Sequence, residues 1–253
     1  MLDLLPYRTI GDGAALLLVH GAAEDTAMLE PQANAFAASG RRVAWYDRRG
    51  TGGAPRDGWP SGGVAQHADD AAAIVHALGG TAQVMGFSSG GVVAMALADR
   101  HPDLDLDVIA WEPAAIAALE GGLQIHSDIM KPIEAYLDEH PEDWTGAYTV
   151  MLDIISDGRA DLASAAVAAQ LANAEAALRD DARIITRHEF AAGSIPPGRV
   201  RLARGGGASE LHAGVIERLT AAHHLTTVVV EAAMDHEVYL SDPAVLAGVD
   251  WSR

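Results

Sequence analysis

Short apolar runs alternate with amphipathic stretches along most of the chain. The runs at 14–20 (AALLLVH), 42–47 (RVAWYD), 82–87 (AQVMGF), 106–111 (LDVIAW), 199–204 (RVRLAR) and 226–231 (TTVVVE) have the length and composition of buried strands. Helical periodicity is read at 27–39, 63–78, 89–100, 209–223 and 243–249. Val93 and Leu97 recur at helical spacing until His101-Pro102 stops the helix. Leu211, Val215 and Leu219 recur behind Ser209, a good N-cap. Asp242-Pro243 reads as a cap followed by a proline at the first helical position. This alternation predicts an α/β fold, a mostly parallel sheet covered by helices on both faces.

The rhythm breaks between 113 and 195, where only helical patterns such as IMKPIEAYL and DLASAAVAAQLANAEAALRD occur. That is too long for a simple crossover between neighbouring strands. The expected organisation is a core in two pieces, 1–112 and 196–253, interrupted by a helical lid over 113–195.

Composition narrows the class. With 253 residues, 49% of them apolar, one large domain can bury a sizeable core. No uninterrupted apolar run is long enough to span a membrane, and MLDLLPYRTI does not read as a signal peptide. The chain has no cysteine, which removes disulfides, thiolate metal sites and a cysteine nucleophile, and fits a cytoplasmic location. A net charge of −18 disfavours nucleic acid and anionic membrane surfaces as partners. The expected partner is a small neutral ester or lactone, and oligomeric state is left open.

Candidate chemistry sits at the ends of the predicted strands. Gly86-Phe87-Ser88-Ser89-Gly90 fits G-x-S-x-G, with a strand before it and a helix after it. In that context Ser88 is a nucleophile on a strained turn. The helix behind it aims free N–H groups at developing negative charge. His20-Gly21-Ala22-Ala23 closes the first long strand. The backbone N–H groups of Ala22 and Ser89 would form a two-donor oxyanion hole, each donor worth roughly 3–4 kcal/mol. His20, locked beside a strand end, reads as structural. Tyr46-Asp47-Arg48-Arg49-Gly50-Thr51-Gly52 carries neither a P-loop nor a full dinucleotide fingerprint and reads as scaffold.

A serine nucleophile needs a base. Among 11 histidines, His236 alone follows the last predicted strand and precedes the last helix, on the same sheet edge as Ser88. His101 sits at a helix stop and His223-His224 at a helix end. His236-Glu237 begins like H-E-x-x-H but lacks the second histidine, so a zinc protease does not fit.

Four stretches in order, HGAA, YDRRGTG, GFSSGG and MDHEVYLSDP, resemble the α/β-hydrolase family over nearly the whole chain. The resemblance implies an eight-stranded-type sheet, a lid after the sixth strand and a triad in the order serine, acid, histidine. Most members carry the acid after the strand read here as 199–204. This chain has RGGGASELH there, offering only Glu210, which opens a helix. The family's other arrangement places the acid one strand earlier, at Glu112 in VIAWEP. Asp235 adjoins the histidine and would point away from it. A branch of the haloalkane dehalogenases shares the earlier placement but has an aspartate nucleophile.

Zearalenone lactonases are closer, with SSG, WEP, a similar MDHEVYLSDP loop and no later aspartate. The expectation is a cofactor-independent, metal-free serine hydrolase of esters or lactones, with Ser88, Glu112 and His236 as triad. Trp144, Tyr136 and Tyr148 of the lid are candidate substrate contacts. A carbon–carbon bond hydrolase, a slow-turnover small-molecule receptor and a cofactor-free oxidase or perhydrolase stay open as alternatives.

Overall fold

The computed structural model describes residues 4–156, 158 and 160–252. Its centre is a seven-stranded sheet in the order β1-β3-β2-β4-β5-β6-β7. The strands are β1 (Tyr7–Ile10), β2 (Ala14–Val19), β3 (Arg41–Tyr46), β4 (Thr81–Phe87), β5 (Asp105–Trp111), β6 (Val200–Gly205) and β7 (Thr226–Val230). All neighbours pair in parallel except β1, which runs antiparallel to β3 with Tyr7 opposite Tyr46. The six strands read from the apolar runs are therefore all present. The eight-strand expectation is corrected to seven, because the stretch before Ala14 forms the single four-residue strand β1. The long helical segment consequently follows the fifth strand, not the sixth.

Helices α1 (Thr26–Ala38), α2 (Gly63–Ala77), α3 (Ser89–Arg100), α8 (Glu210–His223), α9 (Val238–Ser241) and α10 (Pro243–Ala247) flank the sheet. The helical segment holds α4 (Gly122–Glu139), α5 (Trp144–Ser156), α6 (Ala165–Leu171) and α7 (Ala174–Ala176). Directly behind α7 the chain winds more widely as a π-helical turn over Ala177–Ala182. Capping explains several starts. The Asp25 carboxylate accepts from the N–H groups of Ala27 and Met28, and Ser209 Oγ accepts from His212 N–H. The cap expected of Asp242 is corrected: its side chain takes up no helix N–H, and Pro243 alone opens α10.

The period of two along each strand divides the interior. Leu17 and Val19 of β2 enter one core with α2, α3 and α8, while Leu16 and Leu18 enter another with α1, α9 and α10. This is why β2 reads as a continuous apolar run. A third core lies within the helical segment, built from residues including Met130, Ile133, Tyr148, Met151 and Leu178. It takes in the fully buried Ala23 from the β2–α1 loop, and the partly buried Ala22 packs against it.

Candidate active site

The chain reverses sharply between β4 and α3, and Ser88 sits at the corner with φ 53° and ψ −118°. An L-residue reaches that region only under strain. The two flanking glycines make the reversal possible. A Cβ on Gly86 would strike the Gly90 carbonyl, and one on Gly90 would strike the carbonyls of Val19 and His20. Two other non-glycine residues at this end of the sheet also have positive φ, Ala23 at 60° and Glu112 at 38°. Strain is thus gathered at the β2, β4 and β5 ends together.

Trp111 ties these ends to each other. Its carbonyl accepts from Ser88 N–H at 3.0 Å, and its indole N–H donates to the His236 carbonyl at 3.0 Å. The next residue, Glu112, is 1% exposed. Its Oε1 accepts from Gly205 N–H at 2.9 Å and its Oε2 faces His236 Nδ1 at 2.7 Å. Burial alone would raise the Glu112 carboxyl. The hydrogen bonds from His236 and Gly205, with the nearby histidine charges, outweigh it and hold the group below its ordinary value. The ionised carboxylate requires a proton on Nδ1 of His236, which leaves the Nε2 lone pair free. Glu210, the other acid considered, is exposed at the first position of α8. Asp235 Oδ2 accepts instead from Ser241 Oγ at 3.1 Å.

The β2–α1 loop, where one oxyanion donor is expected, is equally ordered. Arg48 N–H donates to His20 Nε2 at 3.1 Å, so His20 Nδ1 carries the proton and donates to the Gly21 carbonyl at 2.7 Å. Burial, aided by the charge of Arg48, drives the His20 imidazolium form well out of reach, so the ring stays neutral. Among the described residues, no hydrogen bond takes up the N–H of Ala22 or of Ser89. Both donors belong to the segments that meet at Ser88, the β2–α1 loop and the first turn of α3.

Beneath the β2–α1 loop lies a buried polar network. Arg48 Nη2 reaches Asp181 Oδ1 at 2.7 Å, the Gly21 carbonyl at 3.0 Å and Ser89 Oγ at 3.3 Å. Its neighbour Asp180 Oδ2 meets His67 Nε2 at 2.6 Å and accepts from Trp59 Nε1–H at 2.9 Å. The YDRRGTG scaffold thereby fastens the π-helical turn to the core.

Sequence reasoning missed His212. Its ring stacks on His236 with centroids 4.2 Å apart and planes 7° from parallel, and its Nδ1 lies 3.5 Å from Glu112 Oε2. Burial and the neighbouring His236 lower it to about 4, against the attraction of Glu112. Its position three residues after the Ser209 cap was the available signal. Ligand atoms of Glu112, His212 and His236 lie within 4.8 Å of one another, so this trio has the donors to hold a metal ion. Each already has a protein partner, with Ser209 Oγ 3.0 Å from His212 Nδ1.

Of the aromatic residues singled out in the helical segment, Tyr148 is buried within range of the charges of Glu237, Glu24 and Asp181. The Tyr136 hydroxyl donates to Asp143 Oδ2 at 2.7 Å, and Trp144 lies under the Arg183 guanidinium at 5.6 Å.

A family model described as alpha/beta hydrolase fold matches residues 14–120. An uncharacterized hydrolase of Bacillus subtilis (strain 168), YraK, is 31% identical over 135 residues, 53% of this chain and 47% of that protein. The chain thus spans about half the length of that curated relative. An α/β hydrolase from Sphaerobacter thermophilus DSM 20745 superposes with a TM-score of 0.72 at 22% identity, over 96% of this chain and 95% of that one. Est816, described as an N-acyl homoserine lactone degrading enzyme, gives 0.70 at 18% identity, over 96% and 94%. The chain has the α/β-hydrolase fold, and these matches support the family of that name. No helix among the described residues is long and apolar enough to cross a membrane.

Proposed function

We propose that the chain is a serine hydrolase that opens a carboxylic ester or lactone through an acyl-enzyme. The observation that carries this reading is the strained Ser88 backbone at the β4–α3 corner. A tight structural turn alone would take glycine there; a strained serine marks a hydroxyl that must project from the corner. Ser88 Oγ attacks the carbonyl carbon and its proton passes to His236 Nε2. Glu112 keeps the imidazole in the needed tautomer and stabilises the imidazolium. The Ala22 and Ser89 N–H groups receive the negative oxygen. Collapse expels the alkoxide, which takes the proton from His236. A water, deprotonated by His236, then releases the acid and restores Ser88.

The helical segment acts in this reading as a lid that shapes the pocket, with Tyr148 as its aromatic wall and Trp144 and Tyr136 further contacts. In a lactone the leaving alcohol stays tethered, so water must compete with ring closure. A covered site that positions the water favours hydrolysis. Likeness to the zearalenone lactonases in SSG, WEP and MDHEVYLSDP supports a lactone, and the absence of charged groups in such a substrate suits the buried acids around the site.

The test is a panel of esters, macrolactones and ring-cleavage diketones, run on wild type, Ser88→Ala and Glu112→Ala. Hydrolysis of an ester or lactone that vanishes with Ser88→Ala supports the proposal. Undiminished hydrolysis by Ser88→Ala sinks it, and cleavage of the diketones alone reassigns the chemistry to carbon–carbon bonds.

A further inference from the structure

Glu24 is a buried carboxyl that the mechanism above does not use. It is 2% exposed and lies two residues beyond the proposed oxyanion donor Ala22. Its Oε2 accepts from Gly21 N–H at 2.8 Å, on the other side of that donor. Its Oε1 faces the Tyr239 hydroxyl at 2.6 Å. Tyr239 lies three residues beyond His236, and its ring stacks on Phe87 with centroids 4.1 Å apart. Phe87 is the residue before Ser88. One carboxyl therefore touches the β2–α1 loop and, through one tyrosine, the histidine loop and the elbow.

We propose that Glu24 is a positioning residue for the hydrolysis proposed above: its carboxyl clamps the oxyanion loop to the histidine loop, and its ionisation opposes the reaction. The inference rests on that reading of Ser88, Ala22 and His236. In the uncharged form Oε2 still accepts from Gly21 N–H, and Oε1 shares a proton with Tyr239. In the ionised form a full negative charge stands beside the N–H groups that must receive a second one. In a dry site that repulsion is weakly screened.

The groups facing Glu24 decide which form prevails. From α9 and the histidine loop come Tyr239 and Glu237, and from the loop after β3 comes Arg48. Arg48 is already bound to Asp181 of the helical segment at 2.7 Å. Tyr148 of that segment senses the same acids. Burial pushes the Glu24 carboxyl up to about 8; the Tyr239 hydroxyl pulls against it, and the Glu237 charge adds to it. The clamp is therefore uncharged near neutrality and ionises within the range of an ordinary assay.

The experiment follows kcat and KM for p-nitrophenyl acetate in wild type and Glu24→Gln, which fixes the neutral form. Wild-type kcat is expected to fall roughly tenfold between about pH 7 and about pH 9.5 with KM little changed, and the variant to stay flat. Infrared difference spectra of the Ser88→Ala protein, over the same range, should lose one carboxylic acid carbonyl band. That band should be missing from the Ser88→Ala, Glu24→Gln double variant.

Superimposable pH profiles, a pH-independent loss in Glu24→Gln or the absence of that band overturns the proposal. Should Glu24→Gln not fold, Tyr239→Phe decides. It keeps the stack on Phe87, removes the hydroxyl that favours the ionised acid, and should move the alkaline fall to higher pH. An unmoved fall overturns the clamp. Failure of the underlying hydrolase reading is recognised separately, as hydrolysis that survives Ser88→Ala.

Discussion

Two histidine–carboxylate pairs lie at the carboxyl end of the sheet, and their geometry is nearly the same. His236 meets Glu112 at 2.7 Å, and His67 meets Asp180 at 2.6 Å. The difference lies in what surrounds the second nitrogen. The His236 side chain is 28% exposed, whereas that of His67 is 1% exposed and its Nδ1 has no hydrogen-bond partner. The first pair is partly open to solvent at the carboxyl end of the sheet. The second is sealed between α2 and the π-helical turn, with Trp59 closing over it. A short bond between a carboxylate and an imidazole is thus no mark of catalysis by itself. Exposure of the imidazole is what distinguishes the two.

On the proposed reading, mutation of Ser88 or of the open pair should show the largest effect. Ser88→Ala and His236→Ala are each expected to lower kcat on a cleaved ester by about 10⁴- to 10⁶-fold, and the double variant scarcely further. A multiplicative loss in the double variant would mean that the two residues do not act together. Glu112→Gln should cost about 10³- to 10⁴-fold in kcat, because the amide no longer dictates the tautomer. The sealed pair should respond the other way round. Asp180→Ala is expected to cost about 3 kcal/mol in urea unfolding, since it strands His67 and Trp59 Nε1–H, with kcat per folded molecule within about twofold. A large kcat loss in a stable Asp180→Ala protein would erase the distinction.

Acid unfolding sharpens the comparison at smaller scale. The Glu112 carboxyl is held below its unfolded value of 4.5, so its contribution is present above that pH and is lost as pH falls through the lower folded value. His212 is lowered from 6.5 to about 4, so it too favours the folded state at high pH. Its share fades between those values, as unfolding lets the ring take a proton. His212→Phe, which keeps a ring on His236, should lose less stability than wild type between about pH 6.5 and about pH 4, measured by denaturant midpoints. The smallest effect is expected at Tyr136, whose hydroxyl bond to Asp143 is solvent-accessible. Tyr136→Phe should leave the midpoint of thermal melts close to that of wild type.

Much of this was legible from the chain. Strands β2–β5 could be read because most positions on both faces are buried, which forces near-continuous apolar runs, whereas the mostly exposed β7 was read from its run of β-branched residues. Strand β1 escaped because Tyr7–Ile10 is short and mostly exposed, and only its pairing with β3 defines it. Ser88 and His236 were legible because elbow and loop lie at strand ends that local pattern identifies. The pairing of Glu112 with His236, 124 residues apart, needed the family resemblance. Arg48 and Asp181 are 133 residues apart, and Glu24 and Tyr239 are 215 apart. Contacts of that span leave no periodic trace. His212 stayed hidden for another reason: a histidine one turn into an amphipathic helix looks like surface until the facing loop is in place.

Ala23 has a consequence of its own. It is joined by covalent bonds to the sheet's loop, yet it belongs to the buried cluster of Met130, Tyr148 and Leu178 in the helical segment. Cooperative opening follows packing rather than chain connection. Solvent access to the Ala23 side chain should therefore keep time with the helical segment and not with β2. On the proposed reading of Ala22 as an oxyanion donor, that donor would be in place only while the helical segment is packed against the loop, so the segment would set when the site is competent as well as what enters it.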